Sequence, residues 1–274
     1  MSDPRPIGVF DSGVGGLTVL REVIRRLPGE ATIYLGDNAR APYGVRSDDE
    51  VLAFSTQSLD ALVERDVKTL VVACNTSTAV GLGAFRRRYD LPVLGVIRPG
   101  AAAASLATRN GRVGVIATPA TIRSHAYFAA IKDENPALEV YEHATPALVP
   151  LVEAGELSGP TAEATVASAL APLVGDGATI DTLLLGCTHY PLIRPLIAKL
   201  TGESVAIVDS ATATASALVE LLSVDRLEAG DDGGSPIHLQ LTTGDPGRFA
   251  DLAGRLFGAA FPSVEQVELG ALTR

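Results

Sequence analysis

The sequence is poor in the residues that staple a chain, anchor it in lipid or draw it to nucleic acid. It holds two cysteines in 274 residues, Cys74 and Cys187, too few for a disulfide scaffold. No apolar run approaches the ~18 residues that a membrane span requires. Positive charge is scarce too, with 22 Lys+Arg against 32 Asp+Glu and a formal net charge of -10. That balance excludes the basic footprint of a non-specific DNA or RNA binder, and electrostatic docking on anionic lipid. The first residues carry Asp3, Pro4 and Pro6 with no apolar h-region, so no signal peptide is expected. The expected compartment is the cytoplasm, where both thiols stay reduced.

Lysine is also rare. Lys68, Lys132 and Lys199 lie outside any glycine-rich or strand-end setting, whereas pyridoxal phosphate chemistry needs a Schiff-base lysine in its site. Metal ligation is as poorly supplied. Cys74, Cys187 and His189 offer three donors without CxxC or HxxxH spacing, and His125, His143 and His238 lie in unrelated contexts. No metal and no cofactor are expected.

What is present suffices for a core, with 47% hydrophobic and 20% charged residues. At roughly 150 residues per domain, the length fits one large or two small domains. Short apolar runs at 7–10, 32–35, 69–73, 93–97, 113–117, 138–142, 182–186, 205–208 and 238–242 read as strands. Amphipathic stretches at 17–27, 51–64, 79–89, 161–174 and 213–222 read as helices between them. This alternation predicts βαβ units and a mainly parallel sheet whose strands are covered on both faces. Gly-Asp-Asp-Gly-Gly-Ser at 230–235 reads as a loop.

An internal repeat says more. IGVFDSG at 7–13 resembles VGVIATP at 113–119, TLVVACNT at 69–76 resembles TLLLGCTH at 182–189, and VLGVIRPG at 93–100 resembles VAIVDSAT at 205–212. Three matches in one order predict two pseudo-symmetric α/β domains, 1–97 plus 209–274 and 98–208. Ligands of open α/β sheets bind beyond the carboxyl ends of the strands. Each polar cluster in the repeat stands there, which directs both sets toward one cleft.

A lone cysteine is usually a small buried hydrophobe. Here both end strand-like runs at repeat-equivalent positions, each followed by polar residues, Asn75-Thr76-Ser77-Thr78 and Thr188-His189-Tyr190. A thiol beside a helix start is expected to titrate below its free pKa of ~8.5. Together they read as a matched acid and base. DSGVGGL at 11–17 is either a tight turn or an anion-binding glycine loop, and Asp11 within it suits an ammonium group or the orientation of a base. Asp37, Tyr43 and Gly44 share one loop after a strand. His189 alone is equally a hydrogen-bonded core histidine, and Glu153 a solvated helix carboxylate.

Taken together, FDSGVGGL at 10–17, YLGDNARAPYG at 34–44, VVACNTSTA at 71–79, GVIRPG at 95–100, IATPAT at 116–121, LVPLVEAG at 148–155, LGCTHYP at 185–191 and VDSA at 208–211 resemble the cofactor-independent glutamate racemases of the aspartate/glutamate racemase superfamily. The resemblance covers almost the whole chain in family order. It implies two α/β domains with the site between them, and interconversion of L- and D-glutamate for peptidoglycan. It also implies that Cys74 acts on D-glutamate with help from Asp11, and Cys187 on L-glutamate with help from His189. Ser12, Tyr43, Gly44, Asn75, Thr76, Thr118, Thr121 and Thr188, together with Asp11 and His189, match substrate-binding positions, and Asp37 and Glu153 match supporting acids. Thr145 departs from the pattern, since many members carry a further cysteine there. Members are often homodimers, and some are reported to inhibit DNA gyrase, on which this sequence is silent. The competing expectations are an aspartate or hydantoin racemase with the same thiols, and a two-lobed amino-acid-binding protein without catalysis.

Overall fold

The computed structural model describes residues 2–174, 180–230, 234–258 and 263–270. The first part of the chain forms β1 (Ile7–Asp11), α1 (Leu17–Arg26), β2 (Thr32–Gly36), α2 (Asp48–Val63), β3 (Thr69–Val72), α3 (Asn75–Arg88) and β4 (Val93–Gly95). There follow α4 (Ile97–Ala107), β5 (Arg112–Ala117), α5 (Pro119–Arg123), α6 (Ala126–Glu134), β6 (Glu139–Ala144), α7 (Leu148–Glu153) and α8 (Pro160–Val174). The remainder is β7 (Thr182–Gly186), α9 (Arg194–Thr201), β8 (Ala206–Asp209), α10 (Ser210–Asp225), β9 (His238–Thr242), α11 (Pro246–Phe257) and β10 (Val264–Gln266).

The strands build two separate sheets, and every described pairing is parallel. One runs β10-β9-β2-β1-β3-β4 and the other β6-β5-β7-β8. The order β2-β1-β3-β4 thus recurs as β6-β5-β7-β8, as the repeat anticipates. Ile7 pairs with Thr69 where Val113 pairs with Thr182. At the last strand of each set the registers differ from the sequence match. Leu70 pairs with Val93 but Leu183 with Ile207, so Val93 answers to Ile207 rather than Val205. A slip of two residues keeps every side chain on its face, which is why the apolar pattern conceals it.

The central strands β1, β2, β3 and β7 are buried at every residue. β6 and β8 are not, contrary to the expectation of strands covered on both faces, because they form the two edges of the smaller sheet. Helix α10 packs on both α1 and α4. Through it one apolar cluster runs from Ile7, Val9 and Val71 of the larger sheet to Ile116, Leu183 and Leu185 of the smaller. Each such buried side chain contributes about 1.5–3 kcal/mol, so this shared core fixes how the two sheets face one another.

Local signals explain most boundaries. Ser47 and Glu50 form a reciprocal capping box that starts α2 three residues before the expected position. The run at 93–97 ends early as a strand, because α4 begins at Ile97 with Pro99 in its first turn, where the missing N–H is not needed. Helices α4 to α7, α9 and α11 and strand β10 exceed the sequence expectation. Of the loop expected at 230–235, residues 231–233 lie outside the described residues.

Candidate active site

In each sheet the winding reverses beside its central strand, which opens a crevice at the strand ends. In the larger sheet β1 delivers Asp11 and Ser12 to that crevice and β3 delivers Cys74. In the smaller sheet β5 delivers Thr118 and β7 delivers Cys187, Thr188 and His189. The crevices meet in one cleft, whose walls include Ser12, Cys74, Thr118 and Cys187.

Cys74 is the N-cap of α3, and its Sγ accepts from the backbone N–H of Ser77 at 3.5 Å. The sulfur also lies 3.5 Å from Ser12 Oγ. A helix N-terminus alone would lower its pKa. Burial instead pushes the thiol up to about 11, with the Asp11 carboxylate adding to the rise and the Ser77 and Ser12 contacts opposing it. The expected low pKa is therefore overturned at Cys74. Cys187, by contrast, caps no helix; the first helical turn after it is the 3-10 turn Tyr190–Ile193.

The surroundings of Cys187 are basic instead. His189 Nδ1 lies 3.8 Å from Cys187 Sγ, and Nε2 lies 3.2 Å from Glu153 Oε1. Burial by itself would depress this imidazole, but the sulfur and the carboxylate stabilise its charged form and push it up to about 10. His189 is thus held between a sulfur and a carboxylate that both favour its charged form, not left as an apolar-core histidine.

Asp11 is fully buried. It accepts from the Gly13 N–H at 3.0 Å and from Thr188 Oγ1 at 3.4 Å. Burial raises its pKa, against lowering by the charge on His189 and by the Gly16, Gly13 and Thr188 donors. Its hydrogen bonds thus reach the opposite half, while Cys74 feels it only through space. Thr18 Oγ1 ties the same halves together with bonds to Gly15 O at 2.8 Å and Thr188 O at 3.1 Å. Two glycines permit this close approach. A Cβ on Gly15 would lie 2.4 Å from Thr188 Oγ1 and 2.5 Å from His189 Nδ1, and one on Gly44 would lie 2.6 Å from Thr118 Cβ.

The remaining expected residues divide into wall and support. Ser12, Tyr43, Gly44, Asn75, Thr76, Thr118, Thr188, His189 and Glu153 line the cleft. Thr76 Oγ1 lies 2.9 Å from Thr118 Oγ1, a contact between the halves, and Thr121 stands behind both at 3.3 and 3.0 Å. Asp37 lies behind the wall, where Tyr43 Oη donates to it, Arg40 pairs with it at 2.7 Å, and Thr243 Oγ1 donates to it at 2.6 Å. It holds the Tyr43 ring rather than meeting a ligand. Asn75 is 2% exposed, and among the described residues its Nδ2 has no hydrogen-bond partner although it belongs to the cleft wall.

Thr145, where the sequence departs from the family pattern, also lines the cleft, with its Oγ1 2.6 Å from Tyr190 Oη. Tyr127, which donates to Asn75 Oδ1 at 2.6 Å, gives no signal in the sequence, since a tyrosine on an apolar helix face reads as core. The three lysines are engaged elsewhere, Lys68 with Glu30, Lys132 with the Pro136 and Leu138 carbonyls, and Lys199 with Glu163. Among the described residues, no group of three His, Cys, Asp or Glu side chains is arranged to hold a metal ion, and no helix is long and apolar enough to cross a membrane.

Comparison with known proteins places this geometry. The family model for Asp/Glu/hydantoin racemases matches residues 7–218. A glutamate racemase of Geobacter metallireducens is 46% identical, over 97% of this chain and 98% of its own. Among solved structures, glutamate racemase isoform RacE1 of Bacillus anthracis superposes with a TM-score of 0.92 at 44% identity, covering 97% of this chain and 98% of that one. The Francisella tularensis glutamate racemase, solved in complex with D-glutamate, gives 0.89 at 35% identity, with the same 97% and 98% coverage.

Proposed function

Since the chain belongs to the Asp/Glu/hydantoin racemase family, and is an amino-acid racemase, we propose that its cleft interconverts L- and D-glutamate by proton transfer between two thiols. The observation that carries the reading is the placement of Cys74 and Cys187 at matching strand ends on opposite walls of one cleft. Inverting an α-carbon requires removal of its proton from one face and return of a proton to the other. One thiolate and one thiol meet that need. A binding protein without catalysis has no use for the pair.

The surroundings assign the starting roles. Cys74, held up near 11, keeps its proton and is the donor. Cys187, with its Sγ 3.8 Å from His189 Nδ1, is the base in the L-to-D direction. In this direction Cys187 Sγ takes the α-proton, its electron pair is left on the α-carbon and delocalised into the carboxylate, and Cys74 Sγ–H supplies the new proton. The reverse direction exchanges the roles. Hydroxyls of Thr76, Thr118 and Thr188 and the unpartnered Asn75 Nδ2 supply donors for the substrate carboxylates, and Asp11 with Ser12 suits its ammonium group. The D-glutamate formed serves peptidoglycan assembly. We assign the lobes as 1–97 plus 209–274 and 98–208, with the cleft between them.

The test is circular dichroism of purified protein with L-glutamate, L-aspartate or a hydantoin and no added cofactor, run also in D₂O. Glutamate should lose its optical activity, and the earliest D-glutamate should carry deuterium at the α-carbon while unreacted L-glutamate stays largely protiated. Preference for aspartate or hydantoin would replace the substrate assignment. Protium retained in the earliest product would overturn the two-thiol mechanism.

A further inference from the structure

Tyr127 lies in α6, belongs to the smaller sheet's layer and is 0% exposed. Two contacts give it an unusual place. A Cβ built on Gly186, the residue before Cys187, would stand 2.9 Å from Tyr127 Cε2, so the ring lies directly against the turn that carries that thiol. At its other end Tyr127 Oη donates at 2.6 Å to Oδ1 of Asn75, the residue after Cys74. One side chain therefore touches both thiol-bearing turns. The same bond decides which way the Asn75 amide faces: with Oδ1 engaged by Tyr127, Nδ2 is left buried at the cleft wall, without a partner among the described residues. A buried donor without a partner costs about 1–3 kcal/mol, so it needs a ligand to satisfy it. Burial keeps the phenol protonated and so able to donate to Asn75 Oδ1.

We propose that Tyr127 is a positioning residue for racemisation: it holds the Asn75 amide with its NH₂ presented to a substrate carboxylate. The inference rests on the glutamate racemase reading and adds to it a residue that does not touch the substrate. Removing the hydroxyl frees the amide to rotate and to present its oxygen to a carboxylate instead, which weakens substrate binding more than it slows the proton transfers.

Tyr127→Phe keeps the ring against Gly186 and removes only the hydroxyl. Its kinetics should be compared with those of wild type, Asn75→Ala and the double variant, at a temperature where all four are folded by circular dichroism, with glutamate binding followed by calorimetry. Tyr127→Phe should raise KM and the Kd for glutamate about tenfold while kcat changes by less than about threefold, and the double variant should be no weaker than Asn75→Ala alone. An unchanged KM, a loss confined to kcat, or effects that multiply in the double variant would each overturn the inference. Wild-type protein that neither binds nor racemises glutamate removes the functional reading and this inference with it. Normal wild-type turnover with an unaltered Tyr127→Phe removes the inference alone.

Discussion

The two thiols follow equivalent strands in sheets that share the order β2-β1-β3-β4 and β6-β5-β7-β8, yet one is buried beside a carboxylate that holds its pKa up and the other lies against an imidazole. Cys74 caps a helix of 14 residues, whereas Cys187 has only a short 3-10 turn after it. Backbone geometry alone would make Cys74 the stronger acid. Its pKa rises from 9.0 to about 11, which corresponds to roughly 3 kcal/mol. A helix N-terminus ordinarily returns about 0.3–1 kcal/mol, so burial together with Asp11 outweighs it. Around Cys187 the neighbours differ: His189 Nδ1 lies 3.8 Å from its sulfur, and Glu153 stands behind the imidazole. The comparison shows that duplication fixes the positions of the reacting atoms, while side chains from neighbouring turns assign their charge.

The largest effect should come from breaking the pair itself. Cys74→Ala and Cys187→Ala should each lower kcat by about 10³-fold or more, and the double variant should be hardly worse than either single one, because both thiols act in one turnover. A single variant with near-normal steady-state racemisation would show that one half suffices.

Gly15→Ala tests whether the halves must meet as closely as they do. Its Cβ would enter the space of Thr188 Oγ1 and His189 Nδ1, at 2.4 and 2.5 Å. Those side chains belong to the Cys187 half, and displacing them by about 1 Å should cost on the order of 10²-fold in kcat/KM. Activity within twofold of wild type would mean that the contact between the halves is dispensable.

A smaller effect should separate the thiols themselves. They are similarly buried, at 4% and 6% exposure, so access does not distinguish them. With Cys187→Ser as background, Cys74 should be alkylated by iodoacetamide at pH 7.5 about tenfold more slowly than free cysteine, the loss of thiolate being partly offset by its greater nucleophilicity. The rate should climb with pH toward 11, the value its surroundings impose. In a Cys74→Ser background Cys187 should react faster than Cys74 does. Mass-spectrometric rates in the opposite order would reverse the assignment of donor and base.

Much of the fold is legible in the amino-acid sequence. The strand runs at 32–35, 182–186 and 238–242 match β2, β7 and β9 within one residue; buried parallel strands such as β2 and β7 declare themselves as consecutive apolar residues, and β9 by its alternation. The repeat points to both sheets and puts the cysteines at equivalent ends. The short elements are hidden. α5, α7 and β10 have six or fewer residues each, too few to show a period. Within the site, adjacency along the chain carries Thr76 and Thr188 with the thiols and Ser12 with Asp11. It gives no access to contacts made between the two halves, such as Thr188 on Asp11 or Tyr127 on Asn75. The pKa of Cys74 escapes a sequence reading for the same reason, since the helix start is local and the burial and the Asp11 field are not.

The unlike surroundings of Cys74 and Cys187 have a limit set by thermodynamics. Enantiomers have equal free energies in an achiral solvent, so their equilibrium constant is unity whatever the enzyme looks like. By the Haldane relation, kcat/KM for the L-to-D direction must therefore equal kcat/KM for D-to-L. Asp11 on one side and the His189–Glu153 pair on the other cannot make the protein a one-way valve. They can only apportion each direction's fixed ratio between affinity and turnover. Net production of the D enantiomer must then come from its removal by whatever consumes it.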